Sequence, residues 1–230
     1  MNSWNKGINW LLDWVLRDLK WLGFLLLYLI DSIFLTLATQ QASHGNATNR
    51  TIGMMLIYSG LLLAFITWRY QKQLQQNNPR QFGRTPFTGK TVSQLIGFFI
   101  LMLAIQYSWS LLIATHILPS PANQTAINSQ VSQLPFWNLA YAILLAPVIE
   151  ELIFRGIFLN YFFSKNTRLM NFLGIFISGI IFGFMHVSSF TPTLIMYSAL
   201  GWVLGYSYLH FRDIRYDMTL HFLNNALSLI

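Results

Sequence analysis

Apolar positions in this chain come in long runs, not in alternation or sparse helical stripes. Runs stand out at about residues 21–39, 52–69, 92–118, 136–163, 170–189, 192–210 and 216–230. All but the last reach the ~17–25 residues with which an α-helix crosses a hydrocarbon core of roughly 30 Å; the last is shorter. Ahead of them, residues 3–20 place Trp4, Trp10, Leu11, Trp14, Val15 and Leu19 mostly on one helical face, with Lys6, Asp13, Arg17 and Asp18 largely elsewhere. That pattern predicts a helix lying in the bilayer interface. The expected fold is all-α: a polytopic transmembrane bundle of about seven spans after an N-terminal interfacial helix. It forms one membrane domain with no soluble one. The stretch from Pro119 to Pro135 carries no charge and reads as an external loop. No internal repeat or cleavable leader is evident.

Composition supports this reading. The chain is 54% hydrophobic and 9% charged, whereas soluble domains carry about a quarter charged residues. A net charge of +7 would suit a nucleic-acid partner if the basic residues formed one stripe. They are instead scattered through short loops, so a membrane is the expected partner and nucleic acid is not. Lys6, Arg17 and Lys20, then Arg69, Lys72, Arg80, Arg84 and Lys90, then Lys165 and Arg168, then Arg212 and Arg215 fall on alternate loops. By the excess of Lys and Arg on the inner side, these loops and the N-terminus are expected to be cytoplasmic. Only Arg50 falls outside. The absence of cysteine excludes disulfides, thiolate metal ligands and lipidation of cysteine.

The candidate chemistry consists of charges inside the apolar runs, each of which costs about 2.5–3.5 kcal/mol at the bilayer centre unless it has a partner, a cavity or a role. The only two glutamates, Glu150 and Glu151, sit side by side in the fourth run, followed by Arg155. Glu151 and Arg155 are four apart and pair along one helix face. Glu150 points about 100° away and has no cation nearby in sequence, which leaves it free to act as a base. Pro147 removes one helix hydrogen bond, and in an α-helix the carbonyl left free is that of Ile143. His186 closes Phe182-Gly-Phe-Met-His in the fifth run. His221 and Asn225 share a face of the seventh. Together these supply a base, two imidazoles and an amide donor, the parts needed to activate water and hold an oxyanion. Gly174, Gly179 and Gly183 would let the fifth span pack closely enough to bring His186 in. Asp31, inside the first run, reads as a structural partner of a polar group on another helix. His44, His116 and His210 read as solvated residues, and Trp137 as part of an interfacial belt.

Glu150-Glu151-x-x-x-Arg155, Phe182-x-x-x-His186 and His221-x-x-x-Asn225, in this order on separate spans, resemble the CAAX protease and bacteriocin-processing (CPBP, or Abi) family of intramembrane proteases. The resemblance covers residues 136–230, which it makes the catalytic core; residues 1–135 carry no motif. It implies hydrolysis of a peptide bond in a membrane-associated peptide or protein. Glu150 and His186 would activate the water, and His221 and Asn225 would hold the oxyanion, with Glu151, Arg155 and Phe182 in support. A metal-free site is favoured; zinc is the alternative, and Glu150, His186 and His221 would then be its ligands. A lipid-modified protein or a bacteriocin is the implied substrate, and bacteriocin self-immunity or maturation is the implied role of so compact a chain. The competing reading is a non-catalytic membrane immunity or scaffold protein that binds a bacteriocin, a receptor or a sensor kinase.

Overall fold

The computed structural model describes residues 3–119, 121–187 and 189–229, with side chains from residue 11 onward except at 122 and 123. All regular structure among the described residues is helical, and α1 (Ser3–Ser43), α2 (Asn49–Gln76), α3 (Gly89–Ala114) and α4 (Ala122–Gln133) come first. A continuous helical rod over residues 135–162 follows. In it α5 (Pro135–Ala140), α6 (Ala146–Glu151) and α7 (Phe158–Phe162) are separated by π turns at Tyr141–Leu145 and Leu152–Ile157. The last three helices are α8 (Arg168–His186), α9 (Pro192–Phe211) and α10 (Ile214–Leu229).

Four helices are long and apolar enough to cross a membrane: α1 from Leu11, α2, α3 and α8. Large apolar side chains face outward on them, with Ile57 and Leu61 each 68% exposed and Leu111 64%. The expected spans at 136–163, 192–210 and 216–230 are helical but do not meet the same measure. The first is broken by its π turns, and α10 has only 16 residues.

Two sequence expectations are corrected. Residues 3–20 are helical, but no break separates them from the first span. Without proline, and with Gly23 tolerated inside a helix, α1 runs on for 41 residues, about 61 Å at 1.5 Å per residue. The side chains of Trp4, Lys6 and Trp10 lie outside the described residues. Trp14, assigned to the bilayer, has its ring 5.5 Å from that of Phe162. Arg17 donates to the Tyr161 carbonyl at 3.1 Å and Trp21 to the Ile153 carbonyl at 3.2 Å. Trp14 and Arg17 thus touch the rod, while residues 11–20 all remain exposed. The second correction concerns the expected loop before Pro135, most of which is helix α4.

The core is built around the rod, whose Ile149, Ile153, Phe154 and Ile157 are fully enclosed. Beside it α8 and α9 form the most intimate pair. A Cβ at Gly179 would lie 2.1 Å from Trp202 Cδ1, and one at Gly183 would lie 2.4 Å from Ser198 Oγ. Only glycine permits that approach, which fixes the end of α8 that carries His186. At one end of the bundle the loops are laced together: Arg80 donates to Lys165 O at 3.0 Å, Gly83 N to Arg212 O at 2.9 Å, and Thr85 N to Asp213 Oδ2 at 2.7 Å.

Candidate active site

The rod's first π turn sets the site. In a π turn the hydrogen bond spans five residues, not four, and Ala146 N accordingly donates to Tyr141 O. In that register Pro147 stands where the N–H for Ala142 O would be. In this register Ala142 O is left without a backbone donor, whereas a plain α-helix would free Ile143 O. Asn225 Nδ2 on α10 donates to it at 2.9 Å. The helix defect is thus the socket that seats Asn225.

One helical turn below, Glu150 and Glu151 are both buried, with different partners. Glu151 Oε1 accepts from Arg155 Nη1 at 2.9 Å and from His221 Nδ1 at 2.8 Å. Arg155, with no exposed surface, also donates to Gly201 O at 2.9 Å and lies 4.6 Å over the Phe182 ring. A buried charge with these contacts holds three helices around Glu151. Glu150 Oε1 accepts from Tyr28 Oη at 2.5 Å. Its Oε2 has no hydrogen-bond partner among the described residues, and His221 Nε2 stands 3.8 Å away.

A carboxylate can only accept, so His221 carries its proton on Nδ1 and turns Nε2 toward Glu150. The same logic applies to His186, whose Nδ1 is 2.9 Å from Phe182 O. Nε2 of a neutral His186 is then an acceptor. Phe182 packs against both imidazoles, its centroid 4.3 Å from that of His186 and 5.6 Å from that of His221.

Two cavities meet at this cluster. Glu150, Tyr28, His186 and Asn225 line one of about 340 Å³. His186, His221 and Asn225 line another of about 100 Å³. All four residues singled out for catalysis are therefore in one place, with His186 and Asn225 shared by both spaces. Among the described residues no three His, Asp or Glu side chains are grouped to hold a metal ion.

Residues 132–227 match the family model described as Rce1-like, type II CAAX prenyl endopeptidase. This segment belongs to the CAAX protease family. The family is one of proteases, and with the apolar helices it makes the chain a multi-pass membrane protein. No curated protein and no solved structure matches the chain.

The Rce1-like segment does not build the site alone. Tyr28, on α1, lies outside it, and nothing in the sequence distinguishes that tyrosine from a belt aromatic. Asp217, inside the segment, is fully buried beside Glu151. Among the described residues neither Asp217 oxygen nor Glu151 Oε2 has a hydrogen-bond donor; two carboxyl groups so placed can bond to each other only if one of them carries a proton. The cost of burying a charge, which singled out Asp31, applied equally to Asp217 at the edge of its span. Asp31 itself accepts from Ser59 Oγ at 2.7 Å and Tyr141 Oη at 2.9 Å, the interhelical pairing expected of it. His44, His116 and His210 are exposed and line neither cavity.

Proposed function

We propose that the chain is an intramembrane endopeptidase that cleaves a membrane-associated peptide, with Glu150 as the base and bacteriocin self-immunity or maturation as its role. The observation that carries this is Glu150 Oε2: a buried carboxylate oxygen without a donor among the described residues, on a carboxylate that lines the same cavity as His186. An unsatisfied buried acceptor is where a water gains most by binding.

In the proposed reaction a water lies between Glu150 Oε2 and His186 Nε2. Its proton passes to Glu150 as its oxygen bonds to the scissile carbonyl carbon, and the carbonyl's π electrons move to oxygen. The oxyanion is held by the second N–H of Asn225 Nδ2, the first being committed to Ala142 O. His221 adds a donor at Nε2 when its ring holds both protons. Glu150 then gives its proton to the amide nitrogen, the C–N bond breaks, and a carboxyl and an amine are left. Glu151 and Arg155 fix His221, and Phe182 packs against both imidazoles.

The test is Glu150→Gln and His186→Ala at matched membrane levels, scored for protection against bacteriocins and for accumulation of uncleaved membrane peptides. Loss of both readouts in both variants supports proteolysis. Full protection by both would assign the chain to non-catalytic binding of a bacteriocin, receptor or sensor kinase. A chelator should leave activity unchanged; loss restored by zinc would overturn the metal-free mechanism.

A further inference from the structure

The two ends of the bundle differ in charge, and the candidate site opens to only one of them. Of the fourteen Lys and Arg residues, all but Arg50 and Arg155 lie on the first half of α1 or near the loops that join α2 to α3, α7 to α8 and α9 to α10. Those loops are the ones laced together by Arg80, Gly83 and Thr85. Lys20, Arg69 and Lys72 line one groove beside Tyr161 at the same end. The opposite end is formed by residues 44–48, 115–119, 121–134, 187 and 189–191 and the end of α10. It carries no charge, Arg50 lying just inside α2.

The cavities at Glu150 and His221 are walled by α4 through Gln124, Ile127 and Gln130. A third space continues from them past Asn128 and Pro121 to Ile113 at the end of α3. None of the three is lined by a residue of the basic loops. The route from the reacting groups therefore leads to the uncharged end, under α4.

We propose that the site takes its substrate from the extracytoplasmic side, as an uncharged, largely apolar peptide segment lying beneath α4. This rests on the proteolytic reading above. Short loops rich in Lys and Arg stay in the cytoplasm, which puts the uncharged end outside. A lipidated C-terminus presented at the cytoplasmic face would meet the laced basic loops, on the far side from the cavities.

The walls fit that substrate. Gln106, Gln124 and Gln130 offer amide donors and acceptors, which suit a peptide backbone. Met102 and Met196 offer apolar surface that adapts to varied side chains. Among the described residues no Lys, Arg, Asp or Glu lines the approach apart from Glu150 itself, so a charged residue in the substrate would enter without a partner.

The chain has no cysteine, so single reporters can be placed on exposed Ser132 of α4 and exposed Asn166 of the α7–α8 loop. With a membrane-impermeant maleimide on intact cells, Ser132→Cys should be labelled and Asn166→Cys only after permeabilisation. The reverse labelling overturns the proposal. A quenched fluorescent apolar peptide without Lys, Arg, Asp or Glu should be cleaved by right-side-out vesicles, and at least about tenfold more slowly once two lysines are inserted. Cleavage confined to inside-out vesicles, or indifference to the lysines, also overturns it. Failure of detergent-opened membranes to cleave any peptide counts against the proteolytic reading itself, while the labelling still decides the side.

Discussion

Tyr28 on α1 donates a 2.5 Å hydrogen bond to Glu150 Oε1 on α6, so the orientation of the candidate base is set by a helix outside the Rce1-like segment. With Oε1 held, Oε2 is the oxygen left to the cavity. A hydrogen bond to a charged group is worth about 1.5–3 kcal/mol. Tyr28→Phe should accordingly lower kcat at least about tenfold with little change in KM, because the phenol touches the base. An unchanged kcat would show that Glu150 is oriented without it.

Arg155 is the support most exposed to mutation. Removing one partner of a buried ion pair costs about 3–5 kcal/mol, so Arg155→Ala should fail to accumulate or should melt far below the parent in detergent. Arg155→Lys keeps the charge but cannot reach Glu151 and Gly201 O while stacking on Phe182. It should fold better than the alanine variant and remain nearly inactive. Parent-like turnover by the lysine variant would reduce Arg155 to a counter-charge.

Asn225 and Pro147 are linked through Ala142 O. Asn225→Ala strips that carbonyl of its donor and should cost about 1–3 kcal/mol as well as activity. Adding Pro147→Ala restores an N–H at position 147 and should recover melting temperature without recovering peptide cleavage. Recovery of both would show that Asn225 serves only to cap the helix defect.

Gly179 tests how His186 is placed. A methyl group 2.1 Å from Trp202 Cδ1 must force α8 and α9 apart, at about 1–3 kcal/mol for overpacking. Gly179→Ala should lower both stability and turnover, and Trp202→Ala in the same chain should restore part of each. If the double variant is no better than the single, the clash does not govern this contact.

What the sequence disclosed follows from what water and lipid tolerate. Glu150, Glu151, Arg155, His186, His221 and Asn225 were legible because polar groups in apolar runs need a reason, and the structure gathers them. Gly179 and Gly183 were legible as small residues at one spacing. Tyr28 was hidden because a tyrosine is at home in a span whether or not it binds anything. Helix α4 was hidden because its uncharged polar sequence reads as a loop until it is seen against the cavities. The π turns were hidden because hydropathy marks how much of a helix is apolar, not which carbonyl meets which amide. The socket at Ala142 follows from them.

A π turn is, in effect, an α-helix with one residue too many. The segment Tyr141–Leu145 can therefore be regarded as an insertion that the fold has kept. Deleting a single residue there would close the turn to ordinary α-helix and rotate everything before it by about 100° relative to Glu150. Asn138 would swing away from Thr39 Oγ1, now 3.0 Å from its amide, and Ala142 O away from Asn225. The hydropathy of the run would scarcely change. For this helix a one-residue gap is a heavier lesion than many substitutions, and the length of the segment before Pro147 is as much a part of the site as its side chains.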